Sequence, residues 1–360
     1  MLRFAYAGAA CVAAAALFAP SSAHTQDAPV TYPQFEVHGR LHTQAYFFDN
    51  EEYADVVGTS SSFLLRRARF NVEAQVSDRV SFVLIPSFEN SKGRGDFRLR
   101  DAYVDLLLSN PEAAGHVSLR VGQEKRPFSR LELTSSNSLI GIERGAGPGL
   151  ISSQANDLFG SAGYLSHDIG ASLAVESGVF ALRAGVYNGT GETAKETNDA
   201  KSFGARATVQ IEPRLSVGGS LFSHDGIVGA DSSFRNTGFG VDAQWGRPGA
   251  AGLYALAEVL QGEAFAAGDR TMRGFSGLIA YQVRRQGERL AVMAIEPMAR
   301  IDLADPDTDA DDDGATLVSG GIGLYFTSRA QLRIAVEHQS FQAPGASSIT
   351  GVRSAVIVNF

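Results

Sequence analysis

The sequence predicts an all-β chain: a transmembrane antiparallel β-barrel of about 16 strands, with a long third loop folded into its lumen. Three observations carry that expectation. Apolar and polar residues alternate in segment after segment from Phe35 to Phe360. Long polar connections at one end of the segments alternate with tight turns at the other. One stretch, Val121–Asp157, is far longer than an ordinary connection yet rich in Leu and Ile, which a disordered linker would lack.

The first residues set the compartment. Arg3 gives a thin positive region, Ala5–Phe18 is apolar, and Ser21-Ser22-Ala23 offers small residues for cleavage. This reads as a signal peptide over residues 1–23, with the mature chain starting near His24, because a membrane anchor needs about 20 apolar residues. A linker over 24–34 and one barrel domain over 35–360 follow. Cys11 lies in the signal, so the mature chain has no cysteine and no disulfide to lean on. No later segment approaches 18 apolar residues, which excludes membrane-spanning helices. A mean hydropathy of −0.04 still fits a barrel, since only alternate residues face lipid.

The strands read in order. Phe35–Phe48 sets Phe35, Val37, Leu41, Ala45 and Phe47 on one face against Glu36, His38, Arg40, His42, Gln44 and Tyr46 on the other. Phe63–Val76, Val80–Glu89, Arg98–Leu108 and Val117–Gln123 follow, and the long stretch leaves from the last. Eleven more lie between Leu165 and Phe360, among them Leu215–Phe222, Gly238–Trp245 and Leu290–Asp302. His224–Asn236 and Ala304–Ala315 are long connections. Ser177-Gly178, Glu212-Pro213 and Gln286-Gly287 are tight ones. A β-sandwich would have fewer strands and no such alternation. Strands of about 9–11 residues suit a tilted membrane crossing.

Energetics fix which face looks inward. An arginine facing lipid at mid-depth costs about 2–4 kcal/mol, so Arg67, Arg69, Arg120, Arg183 and Arg206, all on polar faces, should line the lumen. The terminal Phe360 fits the aromatic signal read by barrel assembly machinery.

A barrel of this size encloses an aqueous channel, and rings of charge in its narrowest part set which ions pass. The net charge is −8, yet from Ser61 to Gly145 Lys and Arg outnumber Asp and Glu by 13 to 10. This argues against a nucleic-acid partner and for a local anion site. Arginine can grip an oxyanion with both prongs of its fork, and lysine acts as a point charge. Arg67, Arg69, Lys125, Arg126 and Arg130 are the candidate constriction residues, with Arg120 and Arg144 as neighbours. Glu124, Glu132 and Glu143 interleave with them, and Glu73, Asp101 and Asp105 are further partners that could tie these cations into the wall.

Other motifs carry less. Asp309, Asp311 and Asp313 match the start of a calcium loop, but its twelfth position is Gly320 instead of a bidentate Glu. They read as a solvated loop tip, with weak divalent bridging as the minority reading. His38 and His42 share a face without a third ligand. Gly145-Ala146-Gly147-Pro148-Gly149 lacks the spacing of a nucleotide loop. No G-x-S-x-G elbow supports an outer-membrane hydrolase, and a surface anchor would need larger loops. No cofactor is expected.

FLLRRARFNVEAQVSDRVSFVLIPSF (Phe63–Phe88), RDAYVDL (Arg100–Leu106), VGQEKRPFSRLELTSS (Val121–Ser136), HDIG (His167–Gly170) and YNGTGE (Tyr187–Glu192) resemble, in this order, the phosphate-selective porins of the O and P type. The resemblance implies a sixteen-stranded homotrimeric barrel in the bacterial outer membrane, surrounded by lipid and lipopolysaccharide. It also implies a third loop, about 124–157, that narrows the lumen, and passive transfer of small anions such as phosphate or polyphosphate. Arg67 and Arg69 match the family's double-arginine strand, and Lys125, Arg126, Arg130 and Arg144 lie in the matching loop. The acidic balance departs from the pattern, which leaves a general, weakly selective diffusion porin as the alternative.

Overall fold

Alternation along each strand sorts side chains to two sides of one closed sheet. The computed structural model describes residues 31–49, 61–90, 95–145, 154–196, 199–228, 232–264, 270–285 and 291–360. The expected signal peptide, most of the linker and the Gln286-Gly287 turn lie outside the described residues.

Sixteen strands form the sheet: β1 (Gln34–Phe48), β2 (Ser61–Gln75), β3 (Val80–Asn90), β4 (Gly95–Leu107), β5 (Gly115–Lys125), β6 (His167–Ser177), β7 (Phe180–Tyr187) and β8 (Ser202–Glu212), then β9 (Leu215–Val228), β10 (Ser232–Trp245), β11 (Gly252–Glu263), β12 (Thr271–Arg284), β13 (Ala294–Asp305), β14 (Ala315–Tyr325), β15 (Ala330–Phe341) and β16 (Ile349–Asn359). Each pairs antiparallel with its neighbours in sequence, and β1 closes on β16, with Arg40 opposite Asn359. Closure leaves no unpaired edge, which is the condition for a sheet to cross a membrane. Two short helices, α1 (Arg130–Leu133) and α2 (Ala155–Ser161), lie between β5 and β6.

Phe35, Phe63, Phe70, Leu173, Phe203, Leu221, Phe239, Val241 and Val336 stay exposed on the outer face, as a surface solvated by lipid requires. The inner face is divided. On β11 to β16 it carries an apolar patch of Tyr254, Leu256, Leu278, Ala280, Met298, Ala335, Ala355 and Ile357, set among buried polar groups such as Glu258, Arg300, Asp302, Arg333, Glu337 and Arg353. On β1 to β8 it carries arginines and carboxylates.

Boundaries differ from expectation where the strands outrun the apolar belt. The connection expected over His224–Asn236 is instead paired sheet, since β9 reaches Val228, β10 starts at Ser232 and Asn236 sits opposite His224. The ladder there pairs a mixed run, His224–Val228 with Ser232–Asn236, in which apolar and polar residues do not alternate strictly, so alternation gives no clear signal. β13 begins at Ala294, later than the expected Leu290, and β5 keeps Lys125 in its ladder opposite His167.

Two irregularities break the strict alternation. Between β1 and β2 the register moves from His42 opposite Arg67 to Thr43 opposite Leu65, which leaves Arg66 unpaired. Between β3 and β4 it moves from Leu84 opposite Ala102 to Pro86 opposite Leu99, so Arg100 and Asp101 face the single Ile85. An extra residue on one strand re-aims a side chain locally. Here both irregularities add charge to the lumen.

Candidate functional site

The segment after β5 enters the barrel on two apolar feet. Leu131, Leu139, Ile140 and Ile142 pack on the apolar inner wall of β11, β12, β13, β15 and β16. Phe128, Leu158, Phe159, Ala162, Tyr164 and Leu165 pack on Tyr187, Phe222, Leu260, Met272 and Ala304. Glycine makes room for the second foot. A Cβ on Gly238 of β10 would lie 2.6 Å from the Tyr164 ring.

Polar ties fix the segment between these feet. Glu258 of β11 takes the Ser129 hydroxyl at 2.7 Å and the backbone N–H of Arg130 and Leu131. Arg300 of β13 donates to the carbonyl of Glu143 at 2.5 Å and to that of Arg144. Arg333 of β15 donates to the Leu139 carbonyl and, at 2.7 Å, to that of Gly141. The segment therefore covers the apolar patch of β11 to β16 and meets the charged wall of β1 and β2 through Ser136 and Glu143.

On that charged wall four carboxylates are each shared by two cations. Glu143 is gripped by Arg66, at 2.9 and 3.2 Å, and by Arg67, at 2.9 and 2.5 Å. Glu89 lies between Arg69 and Arg100, with Nε distances of 2.8 and 3.1 Å. Glu132 lies 3.5 Å from Lys125 and 3.6 Å from Arg144. Glu124 lies 3.2 Å from Arg120 and 3.1 Å from Arg183. Asp105 holds Arg120 through two bonds of 2.8 Å, and the guanidinium stacks 3.6 Å over the Tyr103 ring. Glu192 is a second partner of Arg100. Arg40 differs from all of these: it donates to the Ser136 hydroxyl and has no carboxylate partner among the described residues.

The loop carboxylates are held ionised. Burial alone would raise the Glu143 carboxyl, but Arg66 and Arg67 outweigh it and keep it well below the usual carboxylate range. Burial also raises Glu132, and Lys125 and Arg144 reverse this and bring it down to about 2. Neutralising forks on a glutamate weakens their reach toward a passing ion. Two arginines on one Glu143 still leave a positive surplus, and Arg40 adds another.

The sequence candidates thus separate. Arg67, Arg69, Lys125 and Arg144 come together with Arg66, Arg100 and Arg40. Arg120 stands beside Arg183 further along the wall. Arg126 is buried, bound to Asp168 at 2.7 Å and to the carbonyls of Gly163, Leu165 and Gly189, so it pins the loop and offers nothing to a solute. Arg130 reaches Gln244 at 3.0 Å, away from the double-arginine strand. Of the expected wall partners only Asp105 binds a candidate cation; Asp101 faces His167 at 3.4 Å. Sequence reading passed over Arg40, although its inward parity was visible. It could not find Arg66 or Arg100, which the irregular pairing turns inward. The weak metal candidates Asp309, Asp311 and Asp313 lie in the connection between β13 and β14, and among the described residues no group of three His, Cys, Asp or Glu is placed to share an ion. In the loop tip Asp307 instead accepts the backbone N–H of Asp309 at 3.2 Å.

A closed sixteen-strand antiparallel barrel with arginines and carboxylates on its inner wall has the architecture of an outer-membrane porin. The family model for phosphate-selective porin O and P matches residues 35–242, and the chain belongs to that family. Solved structures agree on the fold. An anion-selective porin from Comamonas acidovorans aligns at 15% identity and a TM-score of 0.61, covering 91% of this chain and 100% of that one. The trimer form of OmpT from Vibrio cholerae gives 13% and 0.57, over 92% of this chain and 100% of that one. The channel DcaP of Acinetobacter baumannii gives 13% and 0.58, over 91% and 97%. No curated protein sequence matches the chain.

Proposed function

We propose that this porin passes small anions passively, phosphate among them, through a passage between the loop and the charged wall. The observation that carries this reading is the asymmetry of the lumen. The loop seals the apolar patch, and Arg40, Arg66, Arg67, Arg69, Arg100 and Lys125 of the opposite wall gather with Arg144 of the loop around fewer carboxylates. A surplus of fixed positive charge in a narrow passage concentrates anions and repels cations. Arg120 and Arg183 extend the basic track.

Sharing of Glu143, Glu89, Glu132 and Glu124 damps that surplus. It favours, as second reading, a general diffusion channel with a modest anion preference over a high-affinity phosphate ladder. A homotrimer in an outer membrane with lipopolysaccharide around it, insertion by the barrel assembly machinery and removal of residues 1–23 complete the proposal. The trimeric OmpT neighbour and the terminal aromatic residue support the first two points.

The test is the zero-current potential of the purified protein in a planar bilayer under a potassium chloride gradient, with phosphate then titrated into the chloride current. A potential toward the chloride equilibrium value supports anion passage, and block by phosphate supports a specific site. A potential toward the potassium value overturns the reading.

A further inference from the structure

At the end of the barrel that carries the long connections lies an open cavity of about 570 Å³, a size within the range of small-molecule sites. It is lined by Phe97, Arg98 and Leu99 at the start of β4, by Ser166 just before β6, and by Glu192 and Thr193 of the connection between β7 and β8. Three separate parts of the chain therefore build it. Among the described residues three other than glycine have positive φ, and two of them are in this lining, Ser166 at 82° and Thr193 at 49°. Such a backbone is costly for a residue with a side chain and persists only where its surroundings hold it, which is common at ligand sites. Gln123, buried in β5, holds the cavity together. Its amide donates to the Leu99 carbonyl and, at 2.6 Å, to that of Arg100, while its oxygen accepts the Thr193 N–H at 2.5 Å.

The charges of the lining are opposite in sign and incompletely used. One oxygen of Glu192, Oε1, accepts from Arg100 and, at 3.2 Å, from the Ser166 hydroxyl, and His167 stands 3.2 Å from it. The other, Oε2, has only the Arg98 guanidinium among the described residues, at 3.6 Å and beyond hydrogen-bond reach. Arg98 in turn meets Asp96 at 3.5 Å, and both of those side chains are exposed. A guanidinium and a carboxylate thus stand side by side with hydrogen-bonding capacity left over. A simple anion coming to Arg98 would meet Glu192 and Asp96, and a simple cation coming to Glu192 would meet Arg98 and Arg100. Like charges brought that close repel. A solute that carries both charges avoids both penalties. Laid head to tail beside the pair, it places its carboxylate on the fork of Arg98 and its ammonium on Oε2 of Glu192.

We propose that this cavity binds a small zwitterion with neighbouring ammonium and carboxylate groups, of the chemical class of an α-amino acid, at the long-connection mouth of the porin. Glu192 also binds Arg100, whose other partner is Glu89, so the site adjoins the basic wall without drawing on its positive surplus. The inference goes beyond the anion reading and does not depend on it, because a solute of zero net charge is neither concentrated nor repelled by that surplus.

The test is isothermal titration calorimetry of the purified protein in detergent at pH 7, with L-alanine, propionate, propylamine and glucose as probes. L-alanine should bind with a saturating heat, and propionate and propylamine, each lacking one of the charges, at least tenfold more weakly. Arg98→Gln should weaken L-alanine at least tenfold, and Arg98→Lys should recover part of the loss. Glu192→Gln should weaken L-alanine and strengthen propionate, because the charge that repels an anion is gone; a merely loosened loop would weaken both. Single-channel events from each preparation show that the barrel has folded. Propionate or propylamine binding as tightly as L-alanine would make this an ordinary ion site and overturn the proposal. Glucose binding in place of L-alanine, no heat with L-alanine, or L-alanine binding that survives Arg98→Gln would overturn it equally. The zero-current potential decides the anion reading separately, so the two can fail independently.

Discussion

Glu143 shows why a basic wall need not bind anions tightly. It receives five hydrogen bonds from Gln44, Arg66 and Arg67, so the two forks nearest the loop are already occupied. Removing its charge should do two things together. Glu143→Gln frees both guanidinium groups, so the zero-current potential should move further toward the chloride value. It also leaves two arginines buried against each other, and breaking a buried pair costs about 3–5 kcal/mol, so the thermal unfolding midpoint should fall. A variant that loses stability without gaining anion selectivity would show that Arg66 and Arg67 serve the wall alone.

The loop carboxyls also set a pH window. Glu132 and Glu143 have folded values depressed below the unfolded value of about 4.3. A depressed value contributes stability above the unfolded pKa and loses it as pH falls through the folded one. The ties at Glu132 and Glu143 should therefore hold from pH 7 to about pH 4.5 and loosen only in stronger acid, as these two carboxyls are protonated. Titration of either carboxyl near pH 6, followed by infrared spectroscopy, would contradict this.

At the scale of an element, the loop depends on what the strands omit. Gly238 lies against the ring of Tyr164, and the apolar feet of the loop need that close approach. Gly238→Val should push Tyr164 out of its seat, increasing current noise and exposing the loop to trypsin at Arg130 and Arg144. Glu258→Ala removes the acceptor for Ser129 and two backbone N–H groups, and should loosen the same segment with the same two readouts. Unchanged current noise in both variants would mean that the apolar contacts alone hold the loop. The strands themselves were legible, because period two is a local property of the chain. Their ends were not: His224 and Asn236 pair in a ladder that runs past the apolar belt, where alternation ceases to report on burial.

For the whole molecule, closure and solvation by lipid decide the orientation of every strand. Leu221 is 51% exposed near the middle of β9 and faces outward. Leu221→Arg should cost about 2–4 kcal/mol of folding stability in a bilayer, read from urea unfolding in lipid vesicles. Leu256→Arg, inward and buried beneath the loop, should instead disturb conductance. Equal effects of the two on folding alone would contradict the division between a lipid face and a loop-covered face.

The sequence by itself determined the class of fold, the number of strands and the inward face of Arg67, Arg69, Arg120, Arg183 and Arg206, because each follows from alternation and from the cost of charge in lipid. It also singled out the loop, through length and apolar content. Only the tertiary structure decided what the charges do. Arg66, Arg100 and Asp101 turn inward through irregular pairing between neighbouring strands. Arg126 is spent on Asp168, far along the chain, and each of Glu89, Glu124, Glu132 and Glu143 draws two cations. Such pairings depend on which residues meet across a closed barrel, and no local pattern in a chain encodes that.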